Sequence, residues 1–367
     1  MRKLACIVVC LFAVAGPASA GPQVDLSRLM RTAVKASGLR ARSRPRVVVL
    51  AKAAIEQQAL ALLDREYPLD QQAYDETLYR ALGLLPADQS LRPFLVAQAQ
   101  SSPGFYDALS RTIYVRPGAT FRRTLLRQLV TALEDQAFGL RKLSGIRAGR
   151  RDTAVAAAAA VDAYAAFAAG ARVGTTRPVA RTTPPLGAFL TVEARFAQTS
   201  ALRFFSALQA IGGRRATFTA LRRFPATTEQ LLHLDAFLAR EPAAPVSLPT
   251  VIGKFGLERQ DGFGELDVRA LLQAFGVAHA DQAASGWGGG RTGVYRDSSG
   301  RQSVVLALDW DETSDADEWA QAVPAYLAAG LGDRHDVAFA RNGVHTALVF
   351  GPSIVDATAI AQATLAG

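Results

Sequence analysis

The sequence predicts an α+β protein that is mainly helical, with a large N-terminal domain and a small C-terminal domain. Apolar residues recur at helical spacing through most of residues 51–242. In residues 286–311 and 337–351, apolar and polar residues instead alternate on both sides of turn signals, a pattern that is typical of β-hairpins. The proline-rich stretch AAPVSLPT at residues 243–250 separates these regions and is predicted to be a linker.

The chain opens with a segment that predicts export. Arg2 and Lys3 precede an apolar run, and a small-residue sequence ends at Ala20, which is the pattern of a secretory signal peptide over residues 1–20. We therefore expect a periplasmic or extracellular protein with no transmembrane segment after signal cleavage. A polar and basic lead-in at residues 21–45 follows, then the N-terminal domain at 46–242, the linker, and a small α+β C-terminal domain at 251–367.

The N-terminal domain is predicted to begin with a strand and to continue as helices around one hairpin. The run RVVVL predicts a buried strand at 46–50, and GFYD and TIYV predict a hairpin within 101–118. The apolar spacing predicts helices at 51–67, 70–83, 90–100, 120–140, 152–171, 190–211, 214–223 and 224–242. Residues 173–187 are predicted to form a long loop rich in proline, threonine and arginine.

The C-terminal domain alternates helices with strand pairs. Helices are expected at 264–277, 316–330 and 353–366. Two strands are expected within 286–311, and a second hairpin at 337–351 turns at Asn342-Gly343, a strong hairpin signal.

Composition excludes some classes of function. Both cysteines lie in the predicted signal peptide, so the exported chain has neither a disulfide nor a thiolate nucleophile. The formal charge of +9 comes from arginines that are scattered along the sequence, with no basic patch interleaved with aromatic residues. We therefore expect no nucleic-acid partner.

The stretch TLLRQLVTALEDQAF at residues 124–138 has the frame of a zinc-peptidase helix without its ligands. Such helices carry two histidines one turn apart and a glutamate after the first, so that both imidazoles reach one metal and the carboxylate activates its water. Here those three positions hold Arg127, Gln128 and Thr131. Arginine is no metal ligand, and glutamine is no general base.

Several segments in the same order make the chain resemble a bacterial family of exported zinc metallopeptidases with an HExxH helix, gluzincin-like in arrangement. They are REYPLDQQAYDETLYRALGLLP, GFYDALSRTIYV, the helix ending in ALEDQAFGL, AAVDAYA, ATTEQLLHLDAFLAREP, GELDVRALLQAFGV and GWGGGRTGVYRDSSGR. The resemblance covers about residues 46–330 and implies a zincin-like fold for residues 46–242. It also places Asp162 where the family has the third metal ligand, a glutamate.

The resemblance implies a degenerate motif and therefore a pseudoenzyme without bound zinc or another cofactor. We expect no catalytic or metal-binding residues, and an ion pair between Arg127 and Asp162 in the place of the metal. The candidate residues for binding in the former active-site cleft are Arg127, Thr131, Glu134, Asp135 and Asp162. The expected ligand is a peptide, a protein or an envelope component.

Two alternatives to this interpretation stay open from the sequence. One is an active hydrolase that uses Glu134, Asp135 or Asp162 as acid or base. The other is a purely structural envelope protein. A binding protein should retain an open cleft over Arg127 and Asp162, whereas a structural relic should have it filled with side chains.

Overall fold

The computed structural model describes residues 25–143, 150–174, 179–182, 184–332 and 336–366, and the predicted signal peptide lies outside them. Within this part of the chain the structure is a mixed α+β fold. The N-terminal region contains α1 (Leu26–Ser37), β1 (Arg46–Val49), α2 (Lys52–Glu66), α3 (Leu69–Ala81), α4 (Arg92–Ser101), β2 (Gly104–Asp107), β3 (Thr112–Val115), α5 (Phe121–Phe138), a short 3-10 helix (Leu140–Leu143), α6 (Arg151–Ala168), α7 (Leu186–Phe196), α8 (Ser200–Arg222), α9 (Glu229–Leu232) and α10 (Leu234–Ala239).

The C-terminal region contains most of the strands. Its elements are β4 (Val251–Ile252), β5 (Phe255–Gly262), α11 (Glu265–Ala274), α12 (Ala280–Ala284), β6 (Trp287–Arg296), β7 (Gln302–Trp310), α13 (Thr313–Gly330), β8 (Val337–Asn342), β9 (His345–Phe350) and α14 (Ile354–Ala366).

Two sheets organise these elements. The N-terminal sheet has the order β1-β3-β2, with β1 parallel and β2 antiparallel to the central strand β3. The C-terminal sheet has the order β4-β5-β6-β7-β9-β8, and all its neighbouring strands are antiparallel. Strand β7 alternates between its two faces, because Leu306 and Leu308 join one core whereas Val305 and Ala307 join another.

Three apolar cores hold the fold together. The first lies between α1, the N-terminal sheet, α5, α6 and α8. The second joins α3 and α7 of the N-terminal region to α11, α13 and one face of the C-terminal sheet. The third lies between the opposite face of that sheet and α14. Side chains from both sides of the linker at 243–250 therefore pack in the second core.

Most predicted elements are confirmed, and several details were wrong. The strand predicted to be buried at 46–50 forms β1, but Arg46 and Val49 are exposed and Val47 and Val48 are half-buried. Strand β5 was not predicted. The lead-in at 21–45 contains helix α1, whose apolar stripe of Leu29 and Ala33 is buried and whose start is capped by Asp25. The segment 224–242 forms two short helices that break at His233, whose backbone is extended. The helices predicted at 190–211 and 214–223 are instead α7 and a long α8 that kinks at Gly213, where φ is +57°.

Candidate functional site

Helix α5 buries one face in the first core and turns a polar edge outward. The buried face carries leucines one turn apart, Leu125, Leu129 and Leu133. Arg127, Gln128 and Thr131 lie beside this face and are half-buried. The spacing that the sequence analysis singled out therefore places these three side chains together at the surface of α5.

Helix α6 packs across α5 and contributes the fourth predicted position. Its alanines are buried against α5 and α8, and their small side chains allow the helices to approach closely. An Arg127 guanidinium nitrogen contacts an Asp162 carboxylate oxygen, with side chains 25% and 44% exposed. The predicted ion pair between these residues is thus confirmed.

The other two motif positions make contacts within the protein. The Gln128 side-chain amide donates to the carbonyl oxygen of Gly104 on β2 at 3.4 Å. The Thr131 hydroxyl donates to the backbone oxygen of Arg127 at 3.3 Å, one turn back along α5. Neither contact closes the space beside these side chains.

A cleft of about 730 Å³ opens over Gln128, Thr131 and Asp162. We call it the α5–α6 cleft. Its walls come from α2, β2, α5, the 3-10 helix and α6. Apolar and charged groups both line it, since Leu62 and Phe105 lie near Arg65 and Asp107. Arg65 and Asp107 pair at 2.7 Å, so a second ion pair joins the α2 and β2 walls of the cleft.

Strand β2 is the edge strand of the N-terminal sheet and lines this cleft, where the backbone of Gly104 is already hydrogen-bonded to the side chains of Ser102 and Gln128. Arg116 N donates to Pro103 O, so antiparallel alternation directs the amide and carbonyl of Gly104 and Tyr106 away from β3. The contact from Gln128 to Gly104 shows that this outer side faces the α5–α6 cleft. Backbone groups at the edge of a sheet are a template for pairing with another extended segment.

An apolar pocket of about 460 Å³ adjoins the cleft. The two share Leu62, Glu66, Ser102 and Phe105, so they form one continuous depression. Leu63, Leu91, Leu95 and Leu190 supply most of the apolar wall of the pocket. Glu193 and Arg151 lie at its charged end.

The predicted candidates Glu134 and Asp135 lie apart from the residues that line the cleft. Glu134 is fully buried between the helices, and its two carboxylate oxygens have no hydrogen-bond partner among the described residues. Burial, and then the charge of Asp162, raise the pKa of Glu134 well above its usual range. Asp135 accepts from the Tyr106 hydroxyl at 2.8 Å and from Leu140 N at 2.8 Å, which fixes the end of α5.

The donor set at this site does not fit zinc. The three motif positions carry a guanidinium, an amide and a hydroxyl, none of which is a usual zinc ligand, and the Asp162 carboxylate is engaged by Arg127. Within the residues that the structure describes, no group of three or more histidine, cysteine, aspartate or glutamate side chains is arranged to hold a metal ion. The expected absence of zinc stays a prediction.

A second charged cluster, which the sequence did not predict, is formed by Arg151, Asp75, Glu193 and Asp267. Arg151 is the first residue of α6 and contacts Asp75 at 3.9 Å, Asp267 at 3.4 Å and the Glu193 carboxylate. These carboxylates come from α3, α7 and α11, so the buried cluster ties α6 to three other helices. The members of this cluster are far apart in the sequence, so no local pattern predicts it. The one sequence signal was the pair of arginines before the alanine-rich helix.

Burial shifts the protonation of several carboxyls near this cluster. It raises the pKa of Asp152 to about 7 and that of Glu193 to about 7. It also raises the pKa of Glu229 to about 8, with further contributions from the charges of Glu265 and Asp311. These groups therefore titrate near neutral pH.

The loop predicted at 173–187 lies partly outside the described residues, which omit 175–178 and 183. At its end, the Thr182 hydroxyl accepts from Ala188 N at 2.8 Å and so anchors the start of α7. None of the described helices is both long enough and apolar enough to cross a membrane.

Comparison with known proteins gives one match. Residues 252–361 match a family model described as a domain of unknown function, DUF8575. This segment runs from the second residue of β4 into α14 and so includes the C-terminal sheet except Val251. No curated protein and no solved structure matches the chain.

Proposed function

We propose that the protein is an exported, zincin-like relative of zinc metallopeptidases that has lost catalysis and binds an extended peptide or protein segment in the α5–α6 cleft. The observation that carries this proposal is the open cleft above Gln128, Thr131 and Asp162. In a purely structural protein, side chains that filled these 730 Å³ would bury apolar surface and stabilise the fold. The open cleft therefore favours a ligand-binding role.

The outward backbone groups of Tyr106 on the edge strand β2 favour an extended polypeptide as the ligand. The outward amide and carbonyl of Tyr106 would pair with one residue of an added antiparallel strand. The adjoining apolar pocket, with Leu91 and Leu95 in its wall, would take one large apolar side chain of that strand. Main-chain pairing supplies affinity in this mode, and the pocket supplies selectivity.

The same contacts argue for binding without hydrolysis. Gln128 stands where the family has its general base, and an amide does not accept a proton from water at neutral pH. Asp162 is held by Arg127, and Glu134 is buried away from the cleft. A ligand would therefore meet hydrogen-bonding groups and one ion pair, with no activated nucleophile supplied by these side chains.

A binding experiment with a cleft-filling variant tests the proposal. Ala158 is exposed and lines the cleft on α6, so Ala158→Trp would occupy the space without disturbing a core. Ala210→Trp on α8 is the matched control, because Ala210 is also an exposed helical alanine and lies away from the cleft lining. The probe is a pool of dye-labelled peptides from a digested, unfolded protein, with binding followed by fluorescence polarisation and cleavage by mass spectrometry.

We expect intact peptides to bind the wild type, and Ala158→Trp to weaken binding about tenfold or more, equivalent to ~1.4 kcal/mol. Ala210→Trp should leave the affinity unchanged. Equal binding by all three proteins, or binding to none of the peptides, would refute the peptide-binding cleft. Cleavage that Ala158→Trp abolishes would instead support the hydrolase alternative.

A further inference from the structure

A second concave region lies on the far side of Arg127 from the α5–α6 cleft. It is a cavity of about 920 Å³ between the ends of α6 and α7 and the start of α8. Four arginines line it: Arg123, Arg127, Arg172 and Arg195. The sequence separates these residues by up to 72 positions, which is why they looked scattered along the chain.

A neighbouring cavity of about 520 Å³ continues this region. The two cavities share Arg195 and Thr199, and the second adds Arg181, Arg203 and Arg269. We call the joined cavities the basic groove. Together the two cavities are lined by seven arginine side chains.

The basic groove carries net positive charge. Among the described residues that line it, the acidic side chain is Asp281, which Arg269 contacts at 3.5 Å. Arg269 also pairs at 2.5 Å with the buried Glu265, which lies outside the lining. Asp162 neutralises Arg127 from the side of the α5–α6 cleft. Arg123, Arg172 and Arg203 are exposed, so their charges are available to a bound anion.

The backbone amides at the start of α8 add to the positive electrostatic potential of the groove. Helix α8 is long, and its N-terminal residues Thr199 and Ser200 lie in the groove. The Thr199 hydroxyl donates to the carbonyl oxygen of Arg195 at 3.0 Å and does not cap α8. The amides of the first turn therefore keep their partial positive charge beside the arginines.

The shape of the groove indicates the class of ligand. Two cavities placed side by side suit a linear molecule with several negative groups, since guanidinium groups bind phosphate oxygens in bidentate pairs. The aromatic residue of the lining is Phe196, which is buried, so among the described residues the groove offers no exposed ring on which a nucleobase would stack.

We propose that the basic groove binds a linear polyanion with repeating phosphate groups and no bases. This site is separate from the α5–α6 cleft, and its occupation does not depend on peptide binding there. Binding would release counterions from the polymer, so affinity should fall steeply as salt is added.

Two triple variants of equal charge test the proposal on the full protein. Arg123→Gln, Arg172→Gln and Arg203→Gln together remove exposed charges from the groove. Arg28→Gln, Arg31→Gln and Arg222→Gln together remove three exposed arginines that do not line it. Binding of inorganic polyphosphate is measured by calorimetry over a range of salt concentrations, and thermal melting checks that each variant is folded.

We expect the groove variant to lose about tenfold or more in affinity and to show a salt slope shallower by about 2, because three charge contacts are lost. The control variant should change the affinity less than about threefold. Equal losses in the two variants would show that only net charge matters and would overturn the proposal. The proposal would also be overturned if the protein did not bind polyphosphate. It would equally be overturned if a single-stranded oligonucleotide of equal charge bound as tightly as polyphosphate.

Discussion

Arg151 begins helix α6 and Arg127 contacts that helix from α5, and the two arginines differ in burial and in the number of their carboxylate partners. Arg151, at the start of α6, meets carboxylates from three other helices, and its side chain is 16% exposed. Arg127, on α5, has one carboxylate partner among the described residues, Asp162, which lines the α5–α6 cleft and is 44% exposed. The first arrangement joins the N-terminal helices to the C-terminal region, whereas the second leaves space for a ligand.

Depth of burial decides what each ion contact does. A buried charge that loses its partners has no water to replace them, so breaking such a cluster is strongly destabilising. A half-exposed pair is screened by solvent and adds little to stability. The Arg127–Asp162 pair is therefore a feature of the cleft, whereas the Arg151 cluster stabilises the fold.

Removing Arg151 should produce the largest effect. Arg151→Met keeps the volume of the side chain but leaves the carboxylates of Asp75, Glu193 and Asp267 without their cation. We expect the free energy of unfolding to fall by about 3–5 kcal/mol in chemical denaturation. Arg151→Lys, which keeps the charge, should lose less. A loss below about 1 kcal/mol for Arg151→Met would remove the contrast between the two arginines.

The titration of Glu229 should produce a smaller, pH-dependent effect. The folded protein holds this carboxyl with a pKa of about 8, against 4.5 for an unperturbed glutamate, so it binds more protons than the unfolded chain between these values. Stability due to the protonated carboxyl is therefore lost as the pH rises from about 4.5 towards 8. Asp152 and Glu193 act in the same direction, with pKa values of about 7.

We therefore expect the melting temperature to fall between pH 5 and pH 8, and Glu229→Gln to reduce that fall. At pH 8 the variant should be more stable by about 1–2 kcal/mol. Glu258→Gln, at an exposed glutamate paired with Arg296, serves as the control and should leave the pH profile unchanged. A steeper profile in Glu229→Gln than in the wild type would contradict the sign of this effect.

The cleft pair should show the smallest effect. A double-mutant cycle with Arg127→Ala, Asp162→Ala and the double variant should give a coupling energy of about 0.5–1 kcal/mol, since solvent screens both groups. Truncating one partner should cost more than replacing both. A coupling near zero would mean that the contact does not tie α5 to α6, and one above about 3 kcal/mol would make it equivalent to a buried pair.

The sequence predicted local elements well because short-range patterns encode them. The hairpin of β2 and β3 and the helix α5 lie where GFYD, TIYV and the leucine spacing placed them. Helix α1 was missed because basic residues obscured the stripe of Leu29 and Ala33. The break at His233 was missed because no proline or glycine marks it.

The site was predictable only in part, for a related reason. Helical spacing placed Arg127, Gln128 and Thr131 together, and the family resemblance added Asp162. The Arg151 cluster and the basic groove depend on how distant helices pack, and no local pattern records that packing. Glu134 looked like a cleft residue in the sequence because its burial depends on the crossing of α6 over α5.

The metal content of the wild type and of a restored variant tests the central claim most directly, namely that α5 and α6 keep the frame of a zinc site whose ligands have been replaced. The variant combines Arg127→His, Gln128→Glu, Thr131→His and Asp162→Glu. Both proteins are exposed to zinc, freed of excess metal and analysed by mass spectrometry, with thermal melting as the check on folding. We expect no retained zinc in the wild type and about one zinc per chain in the folded variant. Stoichiometric zinc in the wild type, or none in a folded variant, would contradict it.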